Sequence, residues 1–168
     1  MSRIAQLLVA SSLVGSLACG QDGATEAPAL ARADVVARPA AGTCRTQFDL
    51  LSQSEIGQVL HFTAECDLRH LGRAAAEFTE AVTFTGPATV IFDSRDMVYT
   101  AANGDELYAT IDDGAGTIEA GVVTLTATEV YHGGTGRFVG ATGSAAITGQ
   151  ASLATATGVY GTAGSIAY

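Results

Sequence analysis

Three groups of residues in this chain of 168 have the types that acid–base, metal or nucleophile chemistry needs: histidines, paired acids and cysteines. His61, His70 and His132 stand singly, with no cysteine or second histidine at ligand spacing. His61 falls on a predicted strand with Val59 and Thr63 as same-face neighbours, so a histidine hydrogen-bonded for structural reasons is expected there rather than a general base. "DSRD", with Asp93 and Asp96, and "DDGAGTIE", with Asp112 and Asp113, gather carboxylates as a calcium site does. Neither has the alternating oxygen ligands of a calcium loop, and both read as polar turns. A Ser–His–Asp triad assembles only in space, and no spacing here signals one. No catalytic residue, metal ligand or cofactor is assigned on these grounds.

The three cysteines are more informative. A hairpin turning near Ser54-Glu55, between "CRTQFDLLSQ" and "GQVLHFTAEC", sets Cys44 directly across from Cys66. A cross-strand disulfide is the expectation, since free thiols or half a metal site would lack a third ligand nearby. Cys19 is then the odd one, and an odd cysteine in an exported chain needs a role. The opening "MSRIAQLLVASSLVGSLACG" supplies the export: Arg3, an apolar run from Ile4 to Leu17, then small residues, which is the layout of a signal peptide over 1–18. Its core is too short for a comfortable membrane span. "GSLAC" resembles the lipobox of bacterial lipoproteins, in which the cysteine is lipidated and becomes the first mature residue. Ser16 stands where that pattern favours leucine. Lipidation of Cys19 is the expectation, with a membrane as partner through the anchor. Ordinary cleavage after Ala18, leaving a secreted protein, is the alternative.

The densest local signal is "GGTGRFVGATG", Gly133 to Gly143. A phosphate-binding loop ends in Gly-Lys-Ser/Thr and opens a helix, and a dinucleotide fingerprint needs a strand–turn–helix unit. The chain has no lysine, and "SAAITG" after Gly143 reads as a strand. The motif instead resembles one in the allene oxide cyclase/dirigent-like barrel superfamily. Plant dirigent proteins carry a similar stretch late in the chain, and bacterial secreted proteins carry GGTGRFxGATG. The matching positions are Gly133, Gly134, Thr135, Gly136, Phe138, Ala141 and Gly143, with Arg137 and Thr142 as in the bacterial set. "ANGDEL" upstream is similar to a hairpin common in the same bacterial chains. The resemblance implies an antiparallel barrel of about eight strands, in which the glycines allow a sharp turn and Phe138 swings inward as a plug. Enzymes of the superfamily guide or perform cyclisation of hydrophobic substrates inside the barrel, but none of their catalytic positions can be placed on this chain. Plant members form trimers, which leaves a homo-oligomer open here.

The elements around these residues read as β throughout. In "EFTEAVTFTG", Phe78, Val82 and Phe84 share one parity and the threonines take the other, the alternation of a half-buried strand. Leu68, Leu71, Ala75, Phe78 and Val82 also fit a helical period, so a short helix around Arg69–Glu77 is a competing expectation. Asn103-Gly104 predicts a two-residue type I′ turn, which would set Tyr99 opposite Tyr108 as a packing pair. Residues 19–43, beyond the lipidation cysteine, are small and Pro-interrupted and read as a flexible tether, leaving 44–168 as one barrel domain. Net charge is −9, and every basic residue is an arginine, scattered singly. This excludes a nucleic-acid surface and gives solubility its simplest cause. The function expected is a non-catalytic cell-envelope module holding a small apolar ligand or a partner. A structural or adhesive protein with a filled barrel, and a cyclase or isomerase of a hydrophobic metabolite, are the alternatives.

Overall fold

Period-two alternation of small and apolar side chains with threonines runs through the chain in segments of 11 to 17 residues, and each segment is a strand. A computed structural model of the chain describes residues 36–69 and 71–168. The signal segment, Cys19, the tether as far as residue 35 and His70 lie outside the described residues. The strands are β1 (Ala37–Gln53), β2 (Gly57–Leu68), β3 (Gly72–Gly86), β4 (Thr89–Ala101), β5 (Glu106–Glu119), β6 (Val122–Gly134), β7 (Thr142–Ser152) and β8 (Thr157–Ala167), with a 3₁₀ turn at Gly136–Phe138. Each pairs antiparallel with the next, and β8 returns to β1, so the sheet closes into an eight-stranded barrel. Closure removes every sheet edge, which a chain of long, Thr-rich strands needs in order to stay unassociated.

Several expectations change. Residues 37–43 were read as tether, but they are the first half of β1, running from Ala37 opposite Ala167 to Thr43 opposite Gly161. The barrel therefore begins seven residues before Cys44. The helix around Arg69–Glu77 does not form, because Gly72–Gly86 is one strand whose Ala74, Ala76 and Phe78 point inward. The Asn103-Gly104 turn is a three-residue loop, not a two-residue one. Gly104 N–H bonds to Ala101 O, Ala101 N–H bonds to Asp105 O, and Gly104 takes the left-handed conformation of a bulge. The extra residue shifts the register by one, so Tyr99 faces Leu107 and Tyr108 faces Val98. Tyr99 is consequently buried in the barrel, and the tyrosine pair does not exist.

The acidic pairs, expected as turns, lie inside strands where the ladder register shifts. Asp96 Oδ1 accepts the Thr79 N–H at 2.8 Å across the β3–β4 irregularity. Asp112 sits at the β5 bulge and takes Arg95 Nη1 at 2.8 Å. Bulges bend a strand and raise its twist, and the carboxylates satisfy backbone and guanidinium donors there. Among the described residues no three His, Cys, Asp or Glu side chains are placed to hold a metal ion, and no helix is long and apolar enough to cross a membrane.

The hairpin from β1 to β2 pairs Cys44 with Cys66 and Leu50 with Leu60, then shifts by one residue at Leu51 before turning through Glu55-Ile56. Cys44 and Cys66 are joined as a disulfide, their Cα atoms 4.0 Å apart and both sulfurs inside the barrel.

Candidate functional site

The two ends of the barrel differ. At one end the β6–β7 connection carries the glycine motif. Gly133 and Gly134 finish β6, Gly136 and Phe138 form the 3₁₀ turn, and Gly143 lies at the start of β7. Phe138 is fully buried, with the Tyr168 ring edge-on at 4.9 Å and the Arg137 guanidinium 4.7 Å from its face. Arg38 stacks over Tyr168 in turn, at 4.9 Å. The neighbouring hairpin holds the loop in place. Thr135 Oγ1 accepts the Glu106 N–H at 2.8 Å, and Asp105 Oδ2 accepts Asn103 Nδ2 at 2.8 Å and the Arg137 N–H at 3.4 Å. The two sequence signals, Asn103-Gly104-Asp105 and Gly133–Gly143, are thus one assembly that shuts this end. The void left beneath it, beside Tyr99, Tyr131 and Thr162, is only about 10 Å³.

At the other end the barrel opens. A cavity of about 430 Å³ enters the lumen, within the size range of small-molecule sites. Its wall is aliphatic and aromatic: Leu60, Val82, Val90, Ile111, Leu125 and Ile147 surround a row of rings from β1, β2 and β3. Phe62 stacks on Phe78 at 4.8 Å, and Phe48 tilts against Phe62 at 5.2 Å. Gly158 stands at an inward position of β8 in the same wall, paired with Thr46 and Ala151. Exposed apolar residues crowd the four connections around the mouth, among them Leu50, Ile56, Phe84, Ile91, Val122 and Leu153. Leu50, Phe84 and Leu153 also line the cavity, so apolar surface continues from the lumen to its mouth, as at a binding face.

Five polar side chains line the cavity: Thr46, Gln58, Glu80, Gln150 and Tyr160. Glu80 shares the inward parity of Phe78 and Val82. Burial, with the Asp93 charge adding to it, pushes its carboxyl up to about 8, so it carries its proton at neutral pH. Tyr160 leads deeper. Its hydroxyl meets the Tyr99 hydroxyl at 3.2 Å, and beyond them the Tyr131 hydroxyl donates to Glu129 Oε2 at 2.9 Å. Glu129 is wholly enclosed, and its Oε1 has no hydrogen-bond partner among the described residues. Burial pushes Glu129 up to about 7, outweighing the opposing effect of the Tyr99 and Tyr131 phenols. The three phenols are raised in their turn, first by burial and then by the Glu129 charge. A buried carboxyl that is about half protonated at pH 7 and reaches the lumen only through phenols can exchange a proton, though burial makes its charge costly.

Of the candidates read from sequence, His61 bonds to Glu77 Oε1 at 3.0 Å on the outer surface, and His132 lies outside beside Tyr108. Neither reaches the lumen. Of the polar lumen residues, Tyr99 is read from sequence only as a packing partner of Tyr108, and Glu80, Glu129, Tyr131 and Tyr160 have no role in that reading. A signal did exist, since Glu80 and Glu129 each break the inward half of an alternating strand, a place where a carboxylate is costly. A second, wider concavity on the outside of β1–β4 is edged by Arg45, His61, Glu65 and Glu77 and opens broadly to solvent. It holds none of the perturbed groups. Compared with models of protein families, with characterised proteins and with solved structures, the chain gives no significant match.

Proposed function

We propose that this protein is a cell-envelope barrel of the allene oxide cyclase/dirigent-like type that takes up a small hydrophobic ligand through the open end of its lumen. The reading is carried by the 430 Å³ apolar cavity with its apolar rim, set opposite a plugged end. A filled barrel serving only as scaffold or adhesin has no use for that space. Export and a lipid on Cys19 would place the domain at a membrane surface, where hydrophobic molecules partition, with residues 20–36 as the tether.

Native mass spectrometry of the protein purified from its own host tests this. The expected result is a reproducible added mass that is lost on denaturation. A clean mass across preparations, together with no uptake of added apolar probes, would return the assignment to a structural protein.

A second reading draws on Glu80. A carboxyl near pKa 8 beside Tyr160 in a water-poor lumen is poised for proton transfer to or from a hydrophobic metabolite, as an isomerase or cyclase requires. Conversion of the resident molecule on incubation, abolished by Glu80→Gln, would favour the enzyme; release of the same molecule unchanged would favour the carrier.

A further inference from the structure

The charge of the lumen is one-sided. Glu80 is the only carboxyl among the residues lining the cavity, and neither arginine nor histidine joins it. The other polar groups there, Thr46, Gln58, Gln150 and the Tyr160 phenol, are neutral. Asp93 adds negative potential from the neighbouring strand, where it pairs with Arg95 on the outer face at 3.3 Å. Glu129 lies behind the floor. The β2 residues nearest Glu80 in the wall, Gln58, Leu60 and Phe62, carry no charge. Glu80 makes no hydrogen bond among the described residues, so its oxygens are free to meet something inside the cavity.

We propose that the lumen selects amphipathic amines, with the apolar body held by the ring-lined wall and the protonated amine paired with the Glu80 carboxylate. This rests on the reading of the lumen as a ligand site and adds the class of ligand. An acid of similar shape would carry its carboxylate into an apolar space whose described lining holds no cation, and would force Glu80 to keep its proton, a costly burial. An alcohol could use the neutral carboxyl as donor or acceptor, but gains only an ordinary hydrogen bond. An amine gains a charge-assisted one in low dielectric.

The proton balance is distinctive. With its carboxyl near 8 in the empty lumen, Glu80 is about 90% protonated at pH 7. A bound ammonium stabilises the carboxylate, so the Glu80 proton leaves to solvent while the amine keeps its own. Binding of an amine therefore releases close to one proton, and binding of an alcohol releases none.

Isothermal titration calorimetry of the full chain at pH 7 tests this with decylamine, decanol and decanoate, each below its micellar concentration. Two buffers of different ionisation enthalpy report the protons released. The expected result is decylamine binding about tenfold or more tighter than decanol, as a charge-assisted pair should give. Decanoate is expected weakest, with about 0.9 proton released per amine bound, set by the fraction protonated. Glu80→Gln should bring decylamine to the level of decanol and abolish the release, with an unchanged circular-dichroism spectrum and a cooperative melt at pH 5 as proof that the barrel is folded. Equal binding of amine and alcohol without proton release overturns the role of Glu80 and leaves the lumen as a ligand site. Failure of all three probes to bind overturns the ligand site itself, and this assignment with it.

Discussion

Gly143 is the residue of the glycine motif with least freedom to change. Its φ of +146° is one that side chains rarely adopt, and a Cβ there would run into the carbonyl oxygen of Ser165 and the Cα of Ile166. These atoms are the backbone of β8, so they cannot swing away. Gly140 makes the contrast: its φ of +75° is the ordinary left-handed region, and a Cβ there meets nothing. Gly140→Ala should cost about 1 kcal/mol, the usual left-handed penalty, and Gly143→Ala several times that, read from urea midpoints. Equal costs would mean that backbone conformation, not the approach of β8, fixes the glycine. The disulfide makes a second prediction at this scale. Cys44 and Cys66 are separated by 22 residues and both are buried. Their link should contribute about 3 kcal/mol by restricting the unfolded chain. Reductant should leave the native barrel untouched and lower the unfolding midpoint only where the chain opens. Thiol labelling against urea concentration measures both.

At the level of elements, the barrel depends on a half-strand that looks like linker. From Ala37 to Ala41, β1 pairs with β8 alone, and β2 joins only at Gly42 opposite Leu68. Pro39 is tolerated there because it removes a ladder donor on a stretch with one partner. A chain beginning at Cys44 would leave Gly161 to Ala167 of β8 unpaired on that side and strip cover from the plugged end. One beginning at Asp34 keeps the ladder whole. The shorter chain should aggregate or melt far below the longer one, by differential scanning fluorimetry and size exclusion. The same stretch shows what could be read in advance. Alternation carried β3, because Phe78, Val82 and Phe84 on its inward parity are large and apolar and threonines take the other. The disulfide fixed β1 against β2, because two cysteines in register are scarce. Ala, Arg, Pro, Ala, Ala, Gly and Thr at 37–43 have no such contrast: they become a strand only because β8 lies beside them. The Asn103-Gly104 signal located a turn but not its length, since one further residue, Asp105, is recruited to bind the loop around Arg137. That contact is far away in sequence and invisible to local propensity. The lumen was illegible for a related reason. Parity says which residues point inward, but not how much space closure of eight strands leaves between them.

Taken as a whole, the molecule encloses two carboxyls that folding makes weaker acids, and this gives its stability a definite pH dependence. Glu129 moves from 4.5 to about 7 and Glu80 from 4.5 to about 8. Between those limits the native state holds protons that the unfolded chain has lost. Stability is therefore greatest near the ordinary carboxyl range, falls as pH rises from about 4.5 to about 8, and no longer changes through these groups above that. Rises of this size correspond to roughly 8 kcal/mol in all, or some tens of degrees in Tm for a domain of this length. The net charge of −9 also grows more repulsive as pH rises, so a fall in Tm alone would not identify the cause. The double variant Glu80→Gln, Glu129→Gln separates the two, since it keeps the outer charges and removes both buried acids. Its Tm should exceed that of the wild type at pH 8.5 and differ little at pH 5, leaving only the shallow slope of surface repulsion. Glu129→Gln alone should roughly halve the slope between about pH 4.5 and 7 and leave the remaining decline, up to about pH 8, which belongs to Glu80. If the double variant kept the full wild-type slope, the interior acids would already be charged in the native barrel. The enclosed carboxyl and phenols would then need a compensating cation that no inward-facing residue supplies among the described residues.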